Sequence, residues 1–192
     1  MAMETKDFIL ASGSPQRSAL LAQIGFIPKA VEPADIDESE KKGEKASAYV
    51  KRMACEKARR IAERHPGEVV LGADTVVVVG AKILHKCKTD EEQIKVMEML
   101  SGKAHRVLSA VCVIDKNGKS AVRLNTTRIL MKKLSDKEIR DYVAGHEWVG
   151  CSGYKIEGEL AALVTKMIGS YSGVVGLPLY ETRNLLLGVG IK

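Results

Sequence analysis

The sequence predicts an α/β fold built on a mixed β-sheet, and three features support this prediction. Segments with strand-like and helix-like spacing of apolar residues alternate irregularly along the chain. A run rich in β-branched residues covers 69–79, which is typical of a buried strand. Asn117-Gly118 lies between two apolar runs and indicates a β-hairpin, hence antiparallel pairing. An apolar content of 45% suffices for a substantial core, so we expect one domain spanning residues 1–192.

The first third of the chain predicts two strands, each followed by a helix. Residues 8–11 form a short apolar strand, and Pro15 suits the first turn of a helix that has Ser14 as its N-cap. A second strand is expected at 27–31. Apolar residues then recur at helical spacing from 47 to about 64, which predicts a strongly basic helix.

The remainder predicts two further helices, the hairpin and a short terminal unit. Thr89 and Ser135 are each followed three residues later by glutamate, the capping-box pattern of a helix start. These helices are expected to end near Leu100 and Gly145. The other predicted elements are hairpin strands at 106–114 and 120–130, a strand at 161–167, a tight glycine-rich turn at 169–176 and a helix entered at Pro178.

The composition favours a nucleotide as partner over a nucleic acid or a membrane. The net charge is +6, but 30 basic residues are mixed with 24 acidic ones, a mild bias rather than a polyanion-binding surface. Aromatic residues make up 4%, so few platforms exist for stacking bases of a single strand. No stretch approaches the roughly 20 apolar residues of a membrane span. The four cysteines form no C-x-x-C pair, which suits a reducing cytoplasm.

Residues 9–21 combine an apolar strand, a small-residue turn and a cationic helix start, the arrangement of a phosphate cradle. Ser12 and Ser14 supply hydroxyl groups around the turn, and free N–H groups at the helix start favour an anion. Arg17, one turn into the helix, can contact phosphate oxygens in bidentate fashion. The alternative is an ordinary capped helix with a solvated arginine, and the motif alone does not separate the two.

Asp74 interrupts an otherwise apolar strand, where a carboxylate is costly unless it meets a metal or a cation. Lys86 follows twelve residues later, just past a predicted turn at 80–81, so strand pairing can return it beside Asp74. Together with an anion cradle, this pair indicates metal-assisted phosphoryl chemistry. The alternative for Asp74 is a strand-end carboxylate that caps the nearby turn.

Six segments in order and at matching spacing resemble the Maf family of nucleoside triphosphate pyrophosphatases: ASGSPQR at 11–17, GADT at 72–75, KILHK at 82–86, LSGKAH at 100–105, SGYKIEG at 152–158 and GSYSGVVGLPL at 169–179. The resemblance covers nearly the whole chain. It implies an elongated, two-lobed fold similar to inosine triphosphatases, with a central cleft and often a homodimer. It also implies cytoplasmic, metal-dependent hydrolysis of a nucleoside triphosphate to the monophosphate and pyrophosphate, a house-cleaning activity.

The resemblance also implies roles for individual residues. Asp74 matches the family's proton acceptor, and we expect it to bind Mg²⁺ or Mn²⁺ together with Glu38. A triphosphate carries about four negative charges, so its entry into a cleft requires several cations. Arg17, Lys57 and Lys86 match basic positions of the family motifs and are expected to neutralise the phosphates.

The base-recognition positions match no single branch of the family. The branch selective for thymidine and uridine triphosphates has arginine, threonine and glutamine where this chain has Gln16, Thr75 and Glu157. The branch acting on 7-methylguanosine triphosphate shares the glutamate but carries tryptophan and glutamine at the other two positions. The Glu157 carboxylate can accept hydrogen bonds from a guanine-like N–H edge, which leaves the base preference open.

The second class of function is a non-enzymatic, nucleotide-binding regulator, because the family's name is tied to septum formation and division arrest. A pure binder needs the cations but no buried carboxylate that repels phosphate in the absence of a metal. The set of Asp74, Lys57, Lys86 and Glu38 therefore favours catalysis. A nucleic-acid binder is the least favoured reading, given the scarcity of aromatic residues.

Overall fold

The computed structural model describes residues 4–192, so residues 1–3 of the predicted domain lie outside it. All of its named strands belong to one seven-stranded sheet. The strands are β1 (Thr5–Ala11), β2 (Ile27–Val31), β3 (Val70–Val79), β4 (Lys82–Leu84), β5 (Ala104–Ile114), β6 (Ser120–Met131) and β7 (Val164–Ile168).

Within residues 4–192, six α-helices and one short 3₁₀ helix, Glu159–Leu163, accompany the sheet. The Ser135 capping box is complete, with side chain and backbone bonds in both directions, and Thr89 accepts a bond from the Glu92 N–H. The α-helices are α1 (Pro15–Gln23), α2 (Ala46–Ala62), α3 (Asp90–Leu100), α4 (Asp136–Ala144), α5 (Tyr171–Val175) and α6 (Leu179–Gly188).

The sheet is mixed, as the sequence predicts. Its order is β2-β1-β3-β5-β6-β7, with β4 paired to β3. β1 runs parallel to both β2 and β3, whereas every other pair is antiparallel. The Asn117-Gly118 turn joins β5 to β6, and Ile114 pairs directly with Ser120, so the predicted hairpin is confirmed.

Three hydrophobic clusters divide the molecule into two lobes that share the long strands. In the first lobe, α2 packs on one face of the sheet, and α1 with α6 packs on the other. In the second lobe, α3 and α4 enclose a cluster around Tyr142 and Trp148. β3 and β5 run through both lobes, since on one face of the sheet Leu71 and Val111 belong to the first lobe, and Val77 and Val107 belong to the second. The cleft lies where these strands pass from one lobe to the other.

Three local predictions are wrong. The strand expected at 161–167 begins only at Val164, because Leu160 and Leu163 turn inward together in the preceding 3₁₀ helix. The turn expected at 169–176 contains the one-turn helix α5, whose Gly173 N–H is capped by Ser170. Ser14 occupies the N-cap position of α1, as predicted, but its side chain makes no capping bond to the helix, and its hydroxyl donates to Gln16 instead. Across residues 4–192, no helix combines the length and apolar character needed to cross a membrane.

Candidate active site

A cleft of about 350 Å³ opens between the two lobes. A second depression of about 490 Å³ continues it along the start of α1. Every site residue that the sequence predicts lines one or both of these spaces. They are Ser12, Ser14, Gln16, Arg17, Glu38, Lys57, Asp74, Thr75, Lys86 and Glu157.

Gly72 allows α2 to lie directly against β3, which sets the position of the catalytic candidates. A Cβ at Gly72 would lie 2.7 Å from the Ala58 N atom and closer still to the Ala54 carbonyl. Only glycine fits beneath the helix at this distance. Side chains alternate along a strand, so Asp74, two residues later, faces α2 as well. The close approach of α2 thus brings Lys57 onto Asp74.

Lys57 stands between the two predicted metal ligands. Its Nζ lies 2.7 Å from Asp74 Oδ1 and 2.8 Å from Glu38 Oε1. Asp74 is 7% exposed and remains at the cleft wall, whereas Glu38 lies on the exposed connection between β2 and α2. The alternative role of Asp74 as a turn cap is thereby disfavoured, because its hydrogen bond goes to Lys57.

The charges around Glu38 keep it ionised. Burial alone raises its pKa, but the hydrogen bond from Lys57 and the positive charges of Lys57, Lys86 and Arg17 outweigh this effect. The pKa of Glu38 therefore lies below its ordinary value. Among the described residues 4–192, no group of three or more His, Cys, Asp or Glu side chains could hold a metal ion. The carboxylates of Glu38 and Asp74 are the pair that converges here.

Arg17 is anchored rather than solvated. Its Nε donates to the Gly176 carbonyl at 2.9 Å, and its Nη1 donates to Ser12 Oγ at 3.0 Å. Burial lowers the pKa of Arg17, while the charges of Asp74 and Glu38 act in the opposite direction. Gly176 has φ of 140°, a conformation that favours glycine, so the carbonyl that holds Arg17 depends on that residue.

Lys86 lies across the cleft on a segment that follows β4, where it is exposed and its backbone bridges to Ser152. The sequence predicts it beside Asp74. Within the part of the chain that the structure describes, no ion pair joins Lys86 to Asp74, and its charge acts on Glu38 instead. The turn at 80–81 does return the chain antiparallel to β3. The strand pairing ends at Leu84, which lies opposite Val77, three positions short of Asp74.

The three base-recognition positions differ in their hydrogen-bond partners and in their exposure. The Ser14 hydroxyl donates to Gln16 Oε1 at 3.1 Å, which leaves the amide NH₂ as a donor toward the cleft. Thr75 Oγ1 lies 2.6 Å from Ser109 Oγ and donates to the Gly176 carbonyl at 3.3 Å. Glu157 is exposed at the cleft wall.

Three residues of this site are not among those predicted from the sequence. Gly176 binds both Arg17 and Thr75, and Ser109 pairs with Thr75 across β3 and β5. The Tyr49 hydroxyl donates to the Glu38 carbonyl at 2.8 Å. A tyrosine on the apolar face of a helix is a usable signal for such a bond, since its hydroxyl needs a partner. Nothing local in the sequence indicates the role of Ser109 or of the Gly176 carbonyl.

Comparison with known proteins shows the family to which the chain belongs. A family model of Maf-like proteins matches residues 7–189. The dTTP/UTP pyrophosphatase of Caulobacter vibrioides is 47% identical over 185 residues, which are 96% of each chain. The dTTP/UTP pyrophosphatase of Zymomonas mobilis is 48% identical, covering 95% of this chain and 91% of that one. A solved HAM1 protein from Coxiella burnetii covers 94% of this chain and 98% of its own, with a TM-score of 0.53 at 17% identity, which shows a shared fold alone. The chain therefore belongs to the Maf family of nucleoside triphosphate pyrophosphatases, as its motifs predict.

Proposed function

We propose that this chain hydrolyses nucleoside triphosphates to the monophosphate and pyrophosphate, with a divalent metal held by Glu38 and Asp74. The observation that carries the proposal is the convergence of both carboxylates on one cation, the Lys57 ammonium group, at 2.8 and 2.7 Å. The relatives at 47% and 48% identity are named dTTP/UTP pyrophosphatases, which supports the same type of reaction.

The donor set suits Mg²⁺ or Mn²⁺. These ions prefer oxygen ligands, and Mg²⁺ commonly binds one or two carboxylates together with substrate phosphates. Glu38 and Asp74 supply two such groups where a positive charge already resides. When bound, the ion would polarise a phosphoryl oxygen and offset the charge of the triphosphate.

Three side chains supply the proton acceptor and the cations that the reaction needs besides the metal. Asp74 Oδ1 accepts from Lys57, and among residues 4–192 no hydrogen bond reaches its Oδ2, so that oxygen can accept a proton from the attacking water. Arg17, anchored by Ser12 and Gly176, presents a fixed cation at the phosphate end. Lys86 adds an exposed cation from the opposite wall.

The base end is suited to a nucleobase with an N–H group on its Watson–Crick edge. The Glu157 carboxylate only accepts hydrogen bonds, and the free NH₂ of Gln16 donates to a carbonyl. Uracil and thymine offer one ring N–H beside a carbonyl, and a guanine-type base offers a carbonyl and two adjacent N–H donors. We therefore expect guanine-type triphosphates to react faster than uridine triphosphate, and both to react faster than cytidine triphosphate.

The test is pyrophosphate release from a panel of common, methylated and deaminated triphosphates, with Mg²⁺, with Mn²⁺ and with a chelator. We expect release that needs the metal and ranks the bases as stated. Release that continues in the chelator contradicts the metal site, and a faster rate on uridine triphosphate contradicts the role of Glu157. No release from any triphosphate would favour a nucleotide-binding regulator instead.

A further inference from the structure

His85 and Glu40 join two parts of the cleft that have no regular secondary structure. His85 immediately follows β4, and Glu40 lies on the connection between β2 and α2. Their side chains meet with His85 Nε2 2.6 Å from Glu40 Oε1. The His85 ring also meets the Tyr49 ring edge-on, with 6.5 Å between centroids. This pair lies outside the phosphate and base positions described above.

Each of the joined segments carries a functional side chain. Lys86 is the next residue after His85, and Glu38 lies two residues before Glu40. On its other side, the Glu38 segment is fixed to α2, because Tyr49 donates to the Glu38 carbonyl at 2.8 Å and Arg52 donates to the Ser39 carbonyl at 2.9 Å. The hydrogen bond between His85 and Glu40 therefore connects this segment to the end of β4 as well.

We propose that His85 is a positioning residue that, through Glu40, fixes the segment carrying Glu38 relative to the segment carrying Lys86. This inference rests on the proposed role of Glu38 as a metal ligand. With the hydrogen bond between His85 and Glu40 in place, the Glu38 carboxylate is preorganised beside Asp74, and Lys86 is kept at the opposite wall. Without this bond, the segment samples more conformations and the metal binds more weakly, because ordering of the loop must then accompany binding.

The expected effect is modest. The side chains of His85 and Glu40 are 57% and 41% exposed. Exposed pairs of this kind change an equilibrium by roughly two- to fivefold. We therefore expect His85→Ala to weaken Mn²⁺ binding about threefold and to raise KM for the metal–triphosphate by a similar factor. kcat should stay near the wild-type value, because His85 touches none of the reacting groups.

The experiment uses the full chain and two readouts. Calorimetry with Mn²⁺ alone measures metal affinity, and amide hydrogen exchange in the metal-free protein measures opening of residues 32–45. His85→Ala should bind Mn²⁺ more weakly and exchange faster in that segment. His85→Gln should restore both values, because its amide nitrogen can replace Nε2 as donor to Glu40. Glu40→Ala should reproduce the effect, and the double variant should add nothing further.

His146→Ala is the matched control. His146 faces Asp90 in a similarly exposed pair, 3.5 Å from Nε2 to Oδ1, but neither residue lies in the segment 32–45 or in the cleft lining. This variant should leave both Mn²⁺ affinity and exchange of that segment unchanged. Unchanged exchange and Mn²⁺ binding in His85→Ala would overturn the inference, and so would an equal weakening of Mn²⁺ binding in His146→Ala. Hydrogen exchange is measured without metal, so it tests the role of His85 even if the metal proposal fails. A failure of the metal proposal is recognised separately, because the wild-type protein would then still release pyrophosphate in the presence of a chelator.

Discussion

Asp74 and Lys57 lie on a strand and a long helix, whereas Glu38, Lys86 and Glu157 lie on segments outside the regular helices and strands. Asp74 and Lys57 form a rigid wall of the cleft, whose position is set by backbone packing, since α2 rests on β3 at Gly72. The segments outside the regular elements are held by a few side-chain hydrogen bonds, such as the bond from the Tyr49 hydroxyl to the Glu38 backbone carbonyl. From this difference we expect a division of labour, in which the rigid wall, with Glu38 bonded to its Lys57, positions the groups that act on water, and the opposite wall adapts to the substrate.

The largest expected effect is on the rigid wall, at Asp74→Asn. Positioned general bases contribute roughly 100- to 10,000-fold to a rate, so we expect kcat to fall by that range. The fold should persist, because the asparagine carbonyl can still accept from Lys57. Pyrophosphate release and thermal unfolding of the two proteins measure these quantities. A variant with kcat within tenfold of wild type would contradict the assignment of Asp74.

Gly72→Ala tests whether backbone packing sets this wall. The added Cβ would lie 2.7 Å from the Ala58 N atom, so the backbone of α2 must move. Such overpacking costs about 1–3 kcal/mol, and the shift should separate Lys57 from Asp74 and lower kcat about tenfold. Denaturant unfolding and steady-state kinetics are the measurements.

Gly188→Ala is the control for this substitution. Gly188 lies in α6 with nothing within 4 Å of its added Cβ. Alanine there should leave kcat unchanged and stabilise the protein by up to about 1 kcal/mol. If Gly72→Ala behaves in the same way, the close approach of α2 does not position Lys57.

The two walls also differ in how far the sequence could predict them. Asp74 follows from local pattern, because a carboxylate in an apolar strand demands a cation or a metal, whereas Lys57 is singled out within its basic helix only by the resemblance to the family. The position of Lys86 is harder to predict, because it depends on where β4 ends and on a bridge to Ser152, 66 positions later in the chain. Likewise, Gly176 holds Arg17 from 159 positions away, a tertiary contact that no local spacing encodes.

The smallest expected effect is on the adaptable wall, at Glu157→Gln. The side chain is exposed, so stability should change by less than about 0.5 kcal/mol. The amide keeps one acceptor but loses the charge and the second acceptor, so the two adjacent N–H groups of a guanine-type base lose a matched partner. We expect the ratio of kcat/KM for guanine-type over uridine triphosphates to fall about tenfold.

Glu159→Gln, also exposed but outside the cleft lining, is the control and should leave the ratio unchanged. If both variants keep the wild-type ratio, base selection resides in Gln16 and Thr75, on the start of α1 and on β3, and the rigid wall then sets specificity as well as chemistry.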